Sequence, residues 1–263
     1  MIDNIFSLKN KTIVITGGAG HLGKAMSEAL AAFGANLFIV GYDEDKNKKY
    51  AMNLKDKYKL DVCIGGNIDL KDEDSIKIQL ANIIDKTGKI DILINNAAFS
   101  CAGKVENMTN DDWCKGIDGT INGVFRVTKY TLQQMIKQQY GNIINIASMY
   151  GMVAPDSRIY GNSGFNNPAN YGAGKAAIIQ FTKYLATTYG NKNIRANSIS
   201  PGPFPSCEVQ KNKEFIKNLS SKNPLGRIGR PEDLQGIIVL LASDASSYLT
   251  GQNIAVDGGW TAW

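Results

Sequence analysis

A chain of 263 residues with 43% hydrophobic content can bury one large core, and it has no apolar run of the roughly 20 residues a membrane helix needs. The net charge of +5 does not point to nucleic acid, because the lysines are scattered and interleaved with acids, as in KDEDSIK. Four cysteines without C-x-x-C spacing and a single histidine leave no expected metal site, and the start MIDNIFSLKNK lacks a secretory apolar region; a soluble, cytoplasmic protein with a small-molecule substrate is expected.

Thr12 to Thr16 (TIVIT) is a β-branched run that stops at GGAGHLG, after which Leu22, Met26, Ala29, Leu30 and Phe33 set a helical period. Strand, glycine turn and helix follow. Gly17, Gly20 and Gly23 let backbone approach a pyrophosphate, and the helix N-terminus offers free N–H groups and a favourable dipole. A tight turn without a ligand is the alternative. His21, inside this turn, either approaches a phosphate or caps the helix.

NLFIVG predicts a second strand ending near Gly41. Tyr42 follows, then Asp43, Glu44 and Asp45, with no base before Lys46. Acidic surroundings repel a 2′-phosphate and so favour NAD over NADP, unless these acids only serve the start of the next helix. DVCIGGNIDL predicts a third strand whose exit carries Asp69, a hydrogen-bond partner for an adenine edge. IDILINNAA reads as a central strand buried on both faces; Asn95 is read as structural, and Asn96 either ties strands together or contacts the cofactor.

From Thr109 a long helical segment runs through Trp113, Ile117, Ile121, Phe125 and Met135. A strand from Asn142 to Ala147 ends at Ser148, and a helix opens near Tyr171, so Tyr171 and Lys175 share one helical face. Tyrosine, with a pKa of about 10, is a poor base at neutral pH, but a nearby ammonium favours the phenolate. Ser148 can hold a substrate oxygen. The Y-x-x-x-K pair alone is a weak signal, since a second occurs at Tyr42 and Lys46.

Arg195 to Ser200 predicts another strand. Beyond Pro201 and Gly202, residues 203–227 read as a loop and a polar helix with little core patterning, either a lid over a site or a surface excursion. Pro231 starts a last helix to Ala242, and NIAVDGG supplies a last strand. The alternation indicates a single α/β domain over 1–263, a doubly wound Rossmann-type parallel sheet of about seven strands flanked by helices.

The set T-G-G-A-G-H-L-G (16–23), Asp69, N-N-A-A (95–98), Ser148, Y-G-A-G-K (171–175), P-G (201–202) and V-D-G-G (256–259) resembles the short-chain dehydrogenase/reductase family, in order and over essentially the whole chain. The resemblance implies an NAD(P)-dependent oxidoreductase that transfers hydride between an alcohol and a ketone or aldehyde. It implies that Tyr171 is the general acid/base, that Lys175 lowers its pKa and bonds the nicotinamide ribose, and that Ser148 polarises the carbonyl. Ser206 would bond the nicotinamide carboxamide. Gly17, Gly20, His21, Leu22, Gly23, Tyr42, Asp69, Asn96, Ala97, Pro201 and Gly202 would contact the cofactor. Homotetramers or homodimers, built partly from the helices beginning near Thr109 and Tyr171, are also implied.

Three departures qualify the resemblance. The family's catalytic asparagine falls on Thr120, while Asn122 lies two residues on, about 200° round a regular helix. The G-x-x-G-x-x-G spacing, with His21 where most single-domain members have glycine, is similar to the extended branch, although the chain is too short for that branch's added substrate domain. The Ser148 to Tyr171 separation exceeds the usual one by about ten residues. This polar insert, 153–168, would overhang the pocket and offer Arg158, Tyr160 or Asn162 to a polyhydroxylated, even anionic, substrate. The S-x-Y-G-x-x-A-P (148–155) and N-P-x-x-Y (167–171) stretches on either side look similar to members of bacterial surface-sugar pathways, which makes a sugar or amino sugar the expected substrate class. Two rivals stand beside this reading: a cofactor-binding regulator without turnover, favoured by Thr120, and an epimerase or dehydratase that uses NAD transiently, favoured by the glycine spacing.

Overall fold

The computed structural model describes residues 5–161 and 163–263. Strands β1 (Thr12–Thr16), β2 (Asn36–Gly41), β3 (Cys63–Asn67), β4 (Ile92–Asn95), β5 (Gly141–Ile146), β6 (Ile194–Pro201) and β7 (Asn253–Val256) form one parallel sheet in the order β3-β2-β1-β4-β5-β6-β7. The isoleucine- and valine-rich runs of β1, β4 and β5 are buried end to end, as strands covered on both faces must be. The strand order reverses between β1 and β4, which opens a crevice beyond their C-terminal ends.

Helices α1 (His21–Ala32), α2 (Glu44–Tyr58), α3 (Glu73–Thr87), α4 (Asn110–Ile117), α5 (Gly123–Gln138), α6 (Ala169–Tyr189), α7 (Lys213–Ser221) and α8 (Gln235–Ala242) complete the domain. Side chains alternate across each strand, so β1 sends Ile13 and Ile15 to one layer and Val14 to the other. The first layer packs Met26 and Leu30 of α1 with Ile238 and Leu241 of α8. The second packs Ile76 and Leu80 of α3 with Val127 and Met135 of α5 and Leu185 of α6.

A buried polar chain crosses the middle of this second layer. Asn95 Nδ2 donates to Thr128 Oγ1 at 2.9 Å and to Asn145 Oδ1 at 2.8 Å, and Asn145 Nδ2 donates to Thr182 Oγ1 at 2.9 Å. The chain ties α5 and α6 to adjacent strands β4 and β5, which bears out the structural reading of Asn95.

The continuous helix expected from Thr109 is interrupted: Asp118–Asn122 form a π-helical turn between α4 and α5. Neighbouring side chains pack too tightly here for larger residues. A Cβ on Gly119 would lie 2.3 Å from Phe99, and one on Gly116 would lie 2.2 Å from the Asn170 side chain.

Candidate active site

The glycine turn after β1 is built for close approach. Gly17 has φ +64°, and a Cβ on Gly23 would lie 2.1 Å from the Gly17 carbonyl oxygen. Thr16 Oγ1 accepts from the backbone N–H groups of Asn96 and Ala97, each at 3.0 Å, while Asn96 Nδ2 donates to the carbonyls of Thr16 and Gly17. The turn is thereby stapled to the end of β4. Helix α1 begins without a side-chain cap and without an acid in its first turn, so its N-terminus is free to receive an anion.

Two cavities meet beside this turn. One, of about 460 Å³, is lined by Gly17, Gly20, His21, Leu22, Asn96 and Ala97, and runs on to Ser148, Tyr171, Lys175, Pro201, Gly202 and Phe204. The other, of about 400 Å³, shares Ala97 and Ala98 and reaches Gly41, Tyr42, Asp69 and Lys71. Lys71 Nζ lies 4.7 Å from the centre of the Phe99 ring on this cavity's wall. End to end, the pair has the elongated form a dinucleotide needs, at the strand C-termini where such ligands bind. The acids after Gly41 are engaged with α2: Asp43 caps it by accepting from Lys46 N–H at 3.0 Å, and Glu44 pairs with Lys48.

Where β5 ends, Ser148 Oγ accepts from Tyr150 N–H at 3.1 Å, which leaves its own hydrogen free to donate. Tyr171 and Lys175, one turn apart on α6, reach the same cavity. Lys175 is buried, and its Nζ donates to the Ile146 carbonyl at 2.6 Å while lying 5.6 Å from the Tyr171 ring centre. Burial pulls its pKa down to about 8. The Tyr171 pKa, expected to be lowered beside Lys175, is raised on balance. Burial pushes the phenol up, and only the hydrogen bond with Ser148 pulls it back.

A third cavity, of about 320 Å³, opens from Ser148 and Tyr171 between the loop insert and α7. Aromatic side chains (Tyr150, Tyr160, Phe165, Phe204 and Phe215) share its walls with Met149, Val209 and Leu219, Asn166 and Asn167 are the amides, and among the described residues no charged side chain lines it.

A family model described as enoyl-(acyl carrier protein) reductase matches residues 17–261. The chain is 36% identical over 258 residues to the 3-oxoacyl-(acyl-carrier-protein) reductase of Thermotoga maritima, which covers 96% of this chain and 98% of that protein. It belongs to the short-chain dehydrogenase/reductase family. As a short-chain dehydrogenase/reductase it is an oxidoreductase acting on CH–OH groups with NAD or NADP. A solved member from Mycobacterium marinum matches it with a TM-score of 0.89 at 29% identity, over all of both chains. The gluconate 5-dehydrogenase of Burkholderia cenocepacia, whose structure is a complex with NADP and tartrate, matches with a TM-score of 0.89 at 27% identity, also over all of both chains.

Within this short-chain dehydrogenase/reductase, several sequence-predicted residues lie away from the site. Thr120 is fully buried; its hydroxyl donates to the Gly116 carbonyl at 2.8 Å and it packs against Gly174 rather than lining a cavity. Asn122 is exposed, with Nδ2 3.4 Å from Asp118 Oδ1. Ser206 is exposed and accepts from Val209 N–H at 3.5 Å, because the chain turns outward after Pro205. Arg158 is 79% exposed and bonds Asp156 through two of its nitrogens, each at 2.8 Å. Asn162 lies outside the described residues. His21 does not cap α1; its Nε2 lies 3.1 Å from the Phe204 carbonyl, joining the glycine turn to the root of segment 203–227. Sequence reasoning missed Tyr150, Phe204 and Phe215. Phe215 and Leu219, four apart in that segment, were the readable signal.

Proposed function

We propose that Ser148, Tyr171 and Lys175 carry out reversible hydride-transfer chemistry on an uncharged sugar or N-acylated amino sugar held in the third cavity. The observation that carries the substrate class is that cavity's lining: aromatic faces, two amides and no charge, opening directly onto Ser148 and Tyr171. A carboxylate or phosphate there would meet no cation among the described lining residues. Aromatic faces suit the C–H side of a ring, and the amides suit its hydroxyls.

The glycine cradle, the uncapped start of α1 and the two joined cavities fit a dinucleotide. Gly17, Gly20 and Gly23 would hold its pyrophosphate, and Asp69 its adenine edge. When bound, the nicotinamide supplies or accepts the hydride. In reduction the Tyr171 phenol, kept protonated by burial, gives its proton to the carbonyl oxygen while the Ser148 hydroxyl donates a hydrogen bond to that oxygen. The Lys175 ammonium, with almost no water around it, stabilises the phenolate left behind. Gly41 carries no carboxylate to select a ribose hydroxyl, and Lys71 lines that cavity as a cation that a 2′-phosphate could meet, so both NAD and NADP are accepted in this reading. The enzyme acts in the cytoplasm as a homo-oligomer in this reading.

A second reading, reduction of a 3-oxoacyl thioester, is favoured by the 36% identity to the Thermotoga reductase and by apolar walls that suit an acyl chain. Nicotinamide absorbance with neutral sugars, N-acylated amino sugars, gluconate and an acetoacetyl thioester, each with NAD and NADP, separates the two. Turnover of neutral sugars is expected, and Tyr171→Phe should lower kcat by about 10²- to 10⁴-fold without changing cofactor affinity. Thioester turnover alone would establish the second reading. A gluconate rate matching that of neutral sugars would end the uncharged-substrate assignment.

A further inference from the structure

The insert between Ser148 and Tyr171 and the helix α7 are far apart in sequence, yet they are fastened to one another. Ile159, at 2% exposure, is buried in a small core with Phe215, Leu219, Met149 and Trp260, separate from the two layers against the sheet. The Tyr160 ring stacks on Phe215 with centroids 5.7 Å apart and planes 18° apart, and Phe165 tilts against the same ring at 5.0 Å. Polar contacts close the join: Asn218 Nδ2 donates to the Ile159 carbonyl at 3.2 Å, and Lys222 Nζ lies 2.8 Å from Asp156 Oδ2. Asp156 in turn caps the short turn Ser157–Ile159 and pairs with Arg158.

We propose that the insert and α7 form one substrate-reading jaw, with Phe215 as its joint, and that this jaw selects an uncharged ring over an open-chain or anionic substrate. Phe215 is the side chain that meets both insert aromatics and also faces the cavity. Ser148 and Tyr171 alone can hold a small carbonyl or hydroxyl group. A ring reaches further, to Tyr160, Phe165, Asn166 and Asn167, and their placement depends on the joint. Dispersion and stacking contacts are lost steeply once faces separate, so an insert released from α7 would keep its residues and lose its selectivity. This inference rests on the uncharged-substrate reading above.

Its test has an arm that needs no substrate. Hydrogen exchange on the full chain follows residues 156–161 and 213–221 in the wild-type enzyme, Phe215→Ala and Phe215→Leu. In Phe215→Ala both segments should exchange about tenfold faster, together, while the sheet strands are unchanged. Faster exchange in 213–221 alone would overturn the shared jaw. In the second arm, oxidation of myo-inositol and glycerol is compared, with gluconate as the anionic control. Phe215→Ala should lower kcat/KM for myo-inositol about 30-fold more than for glycerol, with NADP affinity unchanged, and Phe215→Leu should restore protection from exchange but not the selectivity. Equal losses on myo-inositol and glycerol would overturn the selecting role. Failure of the substrate reading shows separately, as wild-type enzyme that oxidises glycerol or gluconate in preference to every uncharged ring tried.

Discussion

At Lys175 the ammonium is almost out of reach of water, and burial brings its pKa from 10.5 to about 8. The folded state therefore holds this proton less tightly than the unfolded chain does. Below pH 8 the buried charge subtracts from stability, and between pH 8 and 10 that loss is relieved, so the empty enzyme gains stability as pH rises through this window. Tyr171 sets the upper end: its raised pKa makes the phenol ionise first in the unfolded chain, and stability falls again above pH 10. Lys175→Met should add up to about 3 kcal/mol to the empty protein at pH 7 and flatten the rise from pH 8 to 10. Urea unfolding at four pH values checks this, and parallel profiles for the two proteins would refute it. Four-residue spacing was enough to bring Tyr171 and Lys175 to one face. The direction of the Tyr171 shift was not readable, because it depends on which chain segments cover the phenol. Ser206 shows the same limit: its place after the P-G turn was readable, but the outward turn beyond Pro205 was not.

The elements carrying these residues are held in register by the polar chain Thr128–Asn95–Asn145–Thr182, which has no exposed member. Asn145→Leu removes an acceptor from Asn95 and a donor to Thr182, and leaves the Asn95 amide with Thr128 alone. It should destabilise the fold by about 2–3 kcal/mol in urea. Asn95→Leu should do likewise, and the double variant should lose less than the sum by about 1 kcal/mol or more, since the partners share one network. Strict additivity would show that the two asparagines act separately. Strands and the starts of several helices were legible, because the apolar runs, Asp43 and Thr109 all act locally. The π turn was not, and it lies where Phe99 and Asn170, from distant parts of the chain, pack close on Gly119 and on Gly116 just before it. The packing of α7 was readable from Phe215 and Leu219 but masked by Lys213, Glu214 and Lys217 around them.

For the whole molecule, the parallel order of seven strands follows from alternation and right-handed crossovers, and a single chain can express it. Assembly is another matter, because an exposed aromatic side chain reads in sequence just like a buried one. Large apolar side chains stay exposed on two sets of elements: Trp113 on α4, Phe125 on α5 at 48% exposure and Tyr184 on α6, and Leu225, Tyr248 and Trp263 in the segments around edge strand β7. Contiguous apolar surface and an open sheet edge are both unfavourable in water unless a partner covers them. Two distinct patches, each able to meet its own copy about a two-fold axis, are what a dimer of dimers requires. A homotetramer is therefore the expected species in sedimentation. Phe125→Asp places an unpaired charge in the helical interface and should leave dimers joined beside β7, whereas Tyr248→Asp should leave dimers joined through the helices. Each variant keeps its buried core intact, so the α-helical circular dichroism should not change. A monomeric wild-type enzyme, or a tetramer indifferent to both charges, would show that these surfaces face water for some other reason.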